Sequence, residues 1–292
     1  MKLKDVLEKT SHFFREKGFP SARLDAEILL AHGLGIERIR LYLDFDRPLA
    51  PPELDRCREL VKRRTQGEPV AYIIGYKDFY NSRFKVTPDV LIPRPETEQI
   101  VEEAIEWCKR RALTNPRLVD LGTGSGCLGL SVLKEIPEAR LLAVDVSAKA
   151  LMTARENAEA LGLSERVMFL EADAGDSAAV SPGLERAGFQ EIDLLLSNPP
   201  YISENDERVE KDVRRFEPHL ALYAKDEGLS ALKLWTNLWG KHLAHPGLVM
   251  MEMGTDQGGI LKTHYSDFGF SDVQVLKDLA GHDRVIKGEQ HG

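Results

Sequence analysis

The feature that most constrains this chain is a regular alternation of short apolar runs with amphipathic segments, beginning after Pro116. The runs are mostly apolar and lie at 117–121, 140–146, 167–171, 192–197 and 247–253. Runs of this length and composition are typical of parallel strands buried on both faces. The segments that repeat apolar residues at helical spacing lie at 127–136, 149–161 and 229–242. The alternation therefore predicts an α/β fold with a doubly wound, mostly parallel sheet.

The part of the chain before this alternation follows other patterns. Apolar residues recur at helical spacing through residues 1–68, with glycine and proline at the expected helix ends, which predicts a small all-α helical bundle. Residues 69–92 are rich in β-forming residues and predict a β-hairpin that links two domains. We place β-rich segments at Val70–Gly75 and Asp78–Val86, with a turn at Asn81-Ser82.

The third predicted part is the α/β domain, residues 93–292. Its tail departs from the alternation, because Val273–Leu276 and Arg284–Lys287 are two short β-rich segments separated by a glycine-containing turn. They predict a C-terminal antiparallel hairpin added to the parallel sheet.

Composition and charge exclude several classes of protein. The 292 residues are 42% hydrophobic and 29% charged, values typical of a globular protein with a real core. No stretch approaches the roughly 20 apolar residues of a membrane span, and the first residues carry no secretory signal pattern, so we expect a cytoplasmic protein without a membrane partner. The net charge of −8 argues against a long phosphate-tracking surface, so no direct nucleic-acid contact is expected. Cysteine and histidine spacing predicts no metal site.

A glycine-rich loop follows the first predicted strand of the α/β domain and opens a helix. Its candidate cofactor-binding residues are Gly122, Thr123, Gly124, Ser125 and Gly126. Glycines let the chain turn tightly and let a ligand approach the backbone, and in such sheets ligands bind beyond the carboxyl ends of the strands. Asp145 ends the second strand, where a carboxylate suits two ribose hydroxyls.

Two cofactors remain compatible with this loop. Gly124–Gly129 matches the dinucleotide fingerprint G-x-G-x-x-G, which leaves an NAD(P) oxidoreductase as an alternative. The register favours a different ligand, because Gly122 closes the strand after an acidic residue, as in the first motif of S-adenosylmethionine (SAM)-dependent methyltransferases. Asp173 ends the third strand and could accept the adenine amino group, and Ala174 beside it offers backbone and a methyl group.

The most informative stretch is Asn198-Pro199-Pro200-Tyr201, at the end of the fourth predicted strand. The two prolines immobilise the backbone and leave carbonyl acceptors, while Asn198 adds a side-chain acceptor and Tyr201 an aromatic face. This combination suits a planar group that bears an NH2. Accepting both of its hydrogens orients the nitrogen and stabilises the positive charge that develops during its alkylation. We take Asn198, Pro199 and Tyr201 as candidate catalytic residues and all four as candidate substrate-binding residues.

Taken together, these motifs resemble the HemK/PrmC family of class I SAM-dependent methyltransferases. The stretches that carry the resemblance cover nearly the whole chain: Ala22–Glu27, Gly67–Gly75, Ile92–Glu98, Asn198–Tyr201, Phe216–Pro218 and Asp278–Arg284. Members of this family methylate the side-chain amide of the glutamine in the Gly-Gly-Gln motif of bacterial peptide chain release factors.

The resemblance implies a seven-stranded class I methyltransferase sheet, SAM as the methyl donor with S-adenosylhomocysteine as product, and class 1 release factors as partners. It places Gly122–Gly126, Asp145, Asp173, Ala174 and Asn198 around the cofactor and Asn198–Tyr201 around the glutamine, and it implies that the helical bundle recognises the substrate. Many members carry a larger residue where this chain has Ala174. A glutamine methyltransferase that acts on a ribosomal protein and a nucleic-acid amino-group methyltransferase remain as alternatives.

Overall fold

The computed structural model describes residues 1–291. The helices are, in chain order, α1 (Leu3–Glu16), α2 (Ala22–Leu34), α3 (Arg40–Leu43), α4 (Pro51–Thr65), α5 (Val70–Ile74), α6 (Glu98–Arg110), α7 (Cys127–Glu135), α8 (Ala148–Ala160), α9 (Ser177–Ala187), α10 (Lys211–Phe216), α11 (His219–Leu222), α12 (Ser230–Trp239) and α13 (Gly258–Phe268). The strands are β1 (Tyr76–Phe79), β2 (Ser82–Lys85), β3 (Arg117–Leu121), β4 (Arg140–Asp145), β5 (Val167–Glu171), β6 (Ile192–Ser197), β7 (Ile202–Ser203), β8 (Tyr223–Ala224), β9 (Leu243–Glu252), β10 (Ser271–Lys277) and β11 (Asp283–Gln290).

The main sheet confirms the predicted fold class. Across residues 1–291 it has seven strands in the order β10-β11-β9-β6-β3-β4-β5. The pairs β9/β6, β6/β3, β3/β4 and β4/β5 are parallel, whereas β11 pairs antiparallel with both β9 and β10. The C-terminal hairpin therefore extends a parallel sheet at one edge, as the tail of the sequence predicts.

Helices cover both faces of this sheet, because alternate strand residues point to opposite sides. Leu118 and Leu194 belong to one core cluster, which also contains apolar residues of α6, α7 and α8. Val119 and Leu195, their neighbours along the chain, belong to the other cluster, with residues of α9, α12 and α13. The two layers make the sheet doubly wound.

The strand order indicates where a ligand would bind. From β3 the chain proceeds to β4 and β5 on one side of the sheet and then returns to β6 on the other side. The carboxyl ends of β3 and β6 therefore flank a topological switch point, where the loops that follow diverge and leave a crevice. The glycine loop follows β3, and Asn198 follows β6 directly.

The helical unit is compact and comprises Met1–Tyr76 together with Lys211–Phe216. Leu3, Phe14 and Leu29 are among the residues of its own apolar core. Helix α10 comes from far along the chain, and Arg215 Nη1 donates a hydrogen bond to the Gln66 carbonyl oxygen at 2.9 Å. The remaining described residues form the second unit. These units differ from the predicted boundaries, since the helical unit extends past residue 68 and takes in α10.

One predicted strand is wrong. Val70–Ile74 is helix α5 rather than the first arm of the hairpin, and the hairpin is formed by β1 and β2. Pro69 caps this short helix and Gly75, with φ +82°, ends it in the left-handed region. A five-residue apolar run has no periodicity that separates helix from strand, and burial of Tyr72 and Ile73 decides the outcome.

Three helices of the second unit were not predicted: α9, α11 and α13. The α9 sequence is rich in serine, alanine and glycine and contains Pro182, so it lacks a clear apolar stripe. Asp176 nevertheless caps its first turn by accepting a hydrogen bond from the Ala178 backbone N–H at 2.9 Å. Across residues 1–291, no helix combines the length and the apolar character needed to cross a membrane.

Candidate active site

A cavity of about 670 Å³ opens beyond the carboxyl ends of β3, β4 and β6. Nine of the residues singled out from the sequence line it: Gly122, Thr123, Gly124, Ser125, Asp145, Asp173, Ala174, Asn198 and Pro200. The other three are not among its lining residues. Gly126 caps helix α7, Pro199 is buried, and Tyr201 lines a neighbouring cavity.

The glycine loop takes a conformation that only glycine adopts easily. Gly122 and Gly126 have φ of +67° and +80°, in the left-handed region. A Cβ on Gly122 would lie 3.2 Å from Trp235 Cη2, and one on Gly126 would lie 2.8 Å from Leu130 Cδ1. The loop therefore brings bare backbone to the cavity wall, as a site for a polar ligand requires.

Asp120, the acidic residue before this loop, is buried and holds the loop together. Its Oδ2 accepts hydrogen bonds from Thr123 Oγ1 at 2.7 Å and from the Gly129 N–H at 3.1 Å. Burial raises the pKa of the Asp120 carboxyl to about 7, and the two hydrogen bonds oppose the rise. The carboxyl therefore titrates near neutral pH.

Asp120 predicts a specific dependence of stability on pH. Its folded pKa of about 7 lies above its ordinary 3.8, so the proton it binds stabilises the fold fully below pH 3.8, and this contribution is lost as pH rises through 7. Asp120→Asn keeps an acceptor for Thr123 and Gly129 and cannot ionise. Between about pH 5 and 8, the free energy of unfolding of the wild type should fall by about 1–3 kcal/mol relative to the variant. Denaturant titrations at several pH values measure this, and parallel curves would contradict it.

Asp145 ends β4 and joins two loops. Its Oδ2 accepts from the Gly124 N–H and its Oδ1 from the Ser147 N–H, each at 2.9 Å. Burial raises the pKa of Asp145, and the hydrogen bonds from Ser147 and Gly124 counteract the rise. Each carboxylate oxygen keeps a second lone pair for a ligand hydroxyl.

Asp173 and Ala174 follow β5 at the far end of the cavity. Asp173 is exposed, and its Oδ1 accepts from the Gly175 N–H at 2.7 Å. Ala174 is buried, and its carbonyl oxygen accepts from Trp239 Nε1 at 2.9 Å. That carbonyl is thereby engaged within the protein.

The apolar wall beside Ala174 comes from α12, which the sequence analysis did not connect with the site. Leu234 and Trp235 line the cavity, and a Cβ on Gly175 would lie 2.9 Å from Leu234 Cδ2. Trp235 thus borders both Gly122 and Gly175. The only sequence signal for this wall was that Leu234 and Trp235 are large apolar residues in a predicted helix. Such residues are equally typical of a helix face that packs in the core.

Asn198 belongs to a hydrogen-bonded chain of polar groups that includes two buried residues, Thr97 and Glu252. Its Nδ2 donates to Thr97 Oγ1 at 3.1 Å, and Thr97 Oγ1 donates to Glu252 Oε2 at 2.5 Å. The Tyr201 hydroxyl donates to Glu252 Oε1 at 2.8 Å. Burial raises the pKa of Glu252, while hydrogen bonds from Thr97 and Tyr201 and the positive charge of Arg284 act against the rise. The chain leaves the amide oxygen of Asn198 as its acceptor on the cavity side.

An ion pair ties two of the motifs at the cavity wall. Arg94 Nη2 donates to Glu217 Oε1 at 2.6 Å, and the Ile92 N–H donates to Glu217 Oε2 at 3.2 Å. Glu217 is buried, so its charge needs these partners. The pair therefore joins the Ile92–Glu98 and Phe216–Pro218 stretches at the cavity.

The site offers rigid acceptors and a polar loop rather than a nucleophile or a metal. Over residues 1–291 there is no group of metal-ligating side chains. The acceptors lie after β6 and the loop after β3, at adjacent strand ends. Such an arrangement can hold a planar NH2 group against a ligand bound on the glycine loop.

Family models match two parts of the chain. One described as the PrmC N-terminal domain matches residues 5–75, and one described as a methyltransferase small domain matches residues 108–218. The release factor glutamine methyltransferase of Rhodopirellula baltica is 42% identical over 287 residues, covering 96% of this chain and 94% of that protein. The protein of that name from Chlorobaculum tepidum is 41% identical over 286 residues, covering 97% and 95%.

A solved structure shares the fold. The 16S rRNA N2 G1207 methyltransferase of T. thermophilus, in complex with AdoMet and guanosine, is similar with a TM-score of 0.51. The match has 16% sequence identity and covers 74% of this chain and 50% of that one.

Proposed function

The chain belongs to the family of release factor glutamine methyltransferases, and from this premise we propose that it methylates the glutamine of the Gly-Gly-Gln motif in bacterial peptide chain release factors. The methyl group is transferred from SAM to the side-chain amide nitrogen. The observation that carries the proposal is the acceptor site at Asn198 beside the glycine loop. The alternative of an NAD(P) oxidoreductase is wrong, because the chain is a methyltransferase.

The residues around the cavity fit SAM. The glycine loop lines the cavity with backbone that a ligand can approach closely, and the Asp145 carboxylate suits the ribose hydroxyls. We assign Asp173 and the Ala174 methyl group to the adenine end, with Leu234 and Trp235 as its apolar wall. SAM supplies a methyl group on a positively charged sulfur, which the amide nitrogen can attack in line.

We expect Asp145→Ala to weaken SAM binding by about 1–3 kcal/mol, the range for charge-assisted hydrogen bonds. The free energy of unfolding without SAM should also fall, since the Gly124 and Ser147 N–H groups lose their acceptor. Calorimetry on both proteins measures the affinity. Asp89→Ala is the matched control, a carboxylate on the same cavity that the proposal does not assign to the ribose. Unchanged SAM affinity in Asp145→Ala, or NADH binding at micromolar concentration without SAM binding, would refute the assignment.

Two acceptor groups of the protein orient the substrate NH2 group. Asn198 Oδ1 and the Pro199 carbonyl oxygen each accept one hydrogen of the substrate NH2, which fixes the nitrogen lone pair along the line of attack. The same two acceptors stabilise the positive charge that forms on nitrogen as the new bond to carbon replaces the bond to sulfur. The amide nitrogen then loses one proton to solvent and is left neutral.

The test is transfer of a radiolabelled methyl group from SAM to purified release factor, ribosomal protein and DNA, measured side by side. Label should enter the release factor, and a factor with glutamate in place of the motif glutamine should stay unlabelled, because a carboxylate has no NH2. Label in the ribosomal protein or in DNA alone would favour one of the alternatives instead.

We also propose that the helical unit recognises the protein substrate. The described residues that line the large cavity all belong to the second unit, so the helical unit supplies no group to the chemistry. It exposes Ile39, Tyr42 and Leu43 at its surface. In the same assay, intact release factor should therefore be a better substrate than a short Gly-Gly-Gln peptide, and equal efficiency would count against this role.

A further inference from the structure

We propose that Thr97 and Glu252 are positioning residues for methyl transfer: they hold the Asn198 amide with its oxygen towards the substrate and its nitrogen away from it. This inference rests on the proposed function, because it concerns the amide that is to be methylated. Neither residue was singled out as part of the site from the sequence, although Thr97 lies within the Ile92–Glu98 motif.

The direction of the hydrogen bonds follows from the chemistry of each group. The Thr97 hydroxyl donates its single proton to Glu252 Oε2 at 2.5 Å, as the Tyr201 hydroxyl does to Glu252 Oε1 at 2.8 Å. Thr97 Oγ1 then has no proton left to donate and can only accept from its other neighbour. That neighbour is Asn198, which must therefore turn Nδ2 towards Thr97 at 3.1 Å.

This direction matters because the two ends of an asparagine amide have nearly the same shape. A flipped Asn198 would present its own NH2 to the substrate NH2, and two donors would face each other across the site. With Thr97 and Glu252 in place, the wrong orientation pairs Asn198 Oδ1 with an oxygen that has no hydrogen. The buried pair therefore selects the orientation that accepts from an NH2-bearing substrate.

Burial and two hydrogen bonds hold Glu252 in place. Thr97 and Glu252 are each only 1% exposed, so competing water is excluded. Burial raises the pKa of Glu252 and the nearby Glu96 adds to the rise, whereas the hydrogen bonds from Thr97 and Tyr201 and the positive charge of Arg284 favour the charged form. The second carboxylate oxygen accepts from the Tyr201 hydroxyl at 2.8 Å, so the same anchor also holds the aromatic residue of the loop.

The experiment is single-turnover methyl transfer to release factor at saturating SAM. Thr97→Val removes the acceptor for Asn198 Nδ2 with little change in shape and should lower the rate about tenfold or more. Glu252→Gln introduces an NH2 donor beside Thr97 and should also lower the methyl-transfer rate about tenfold. SAM affinity and the KM for release factor should stay within about threefold, because neither residue is assigned to binding. Thr97→Ser should restore most of the rate lost in Thr97→Val.

A matched control separates positioning from general destabilisation. Thr236 is as buried as Thr97, and its Oγ1 donates to the Leu232 carbonyl oxygen at 2.7 Å, away from Asn198. Thr236→Val should leave the rate unchanged. A second comparison uses the Asn198→Ala background, in which Thr97→Val should have no further effect on the rate, since its action passes through Asn198.

Two results would overturn the proposal. One is a methyl-transfer rate for Thr97→Val equal to that of Thr236→Val. The other is a Thr97→Val substitution that lowers the rate as much in the Asn198→Ala background as in the wild type. Should Glu252→Gln fail to fold, the Thr97 variants decide alone. If the wild type does not label release factor, the proposed function itself fails. Even then, NMR on the free protein tests the pair: the Asn198 side-chain NH2 should exchange with solvent more slowly in wild type than in Thr97→Val, and equal rates would exclude the hydrogen bond.

Discussion

Replacing Asn198 by alanine should reduce single-turnover methyl transfer by about 100- to 1,000-fold, the usual effect of removing one preorganised hydrogen-bonding group that stabilises developing charge. The structure gives the reason. Asn198 directly follows β6 and its nitrogen donates to Thr97, which leaves its oxygen as the acceptor that we assign to the substrate amide. Alanine removes that oxygen and leaves the Pro199 carbonyl to hold the NH2 by one hydrogen alone.

The variant should fold and should bind SAM within about tenfold of the wild type, because the glycine loop and Asp145 are untouched. Calorimetry with SAM is therefore the control for the rate measurement. Asn198→Asp is the matched variant of similar size. Its methyl transfer should be equally slow, since a charged oxygen replaces the NH2 group that donates a hydrogen bond to Thr97. Near-wild-type turnover by Asn198→Ala would mean that the amide is oriented by other groups and that the mechanism is wrong.

The second large effect is expected at Gly228, where alanine should lower the free energy of unfolding by about 2–5 kcal/mol. Gly228 is buried with φ +86°, and a Cβ there would lie 2.0 Å from the Tyr201 carbonyl oxygen and 2.7 Å from Gln257 Nε2. Gln257 Nε2 itself donates to that carbonyl at 2.9 Å. The methyl group must therefore displace backbone of the Asn198–Tyr201 loop, so methyl transfer should fall as well.

Gly162→Ala is the control that measures the cost of a left-handed backbone without a steric clash. Gly162 has φ +70°, in the same left-handed region, but a Cβ there meets no atom within 4 Å. Gly162→Ala should therefore lose only about 1–2 kcal/mol, the difference between the left-handed and right-handed conformations of alanine. Denaturant unfolding and the methyl-transfer assay on both variants complete the comparison. If Gly228→Ala matched Gly162→Ala in both measurements, the loop would be more adaptable than its contacts indicate.

The sequence alone determined the sheet and the location of its loops. The strands from β3 to β6 are short and mostly apolar, and turn residues and helical segments separate them, so local pattern identifies them without knowledge of their partners. The glycine loop, Asp145 and Asn198 could be placed at one edge because the carboxyl ends of parallel strands meet there. Local pattern was insufficient at Val70–Ile74, where burial rather than periodicity decides between helix and strand.

Long-range packing determines which polar groups meet around Asn198. Thr97 and Asn198 are 101 residues apart in the chain, and Thr97 and Glu252 are 155 apart. Glu252 is the last residue of β9. Its sequence neighbours give no indication that it is buried or that it accepts hydrogen bonds from Thr97 and Tyr201. Trp235 likewise reaches the cavity only because α12 packs against the sheet beside the glycine loop. Strand and loop positions follow from local periodicity, whereas the direction of a hydrogen bond depends on long-range packing that places one donor against one acceptor.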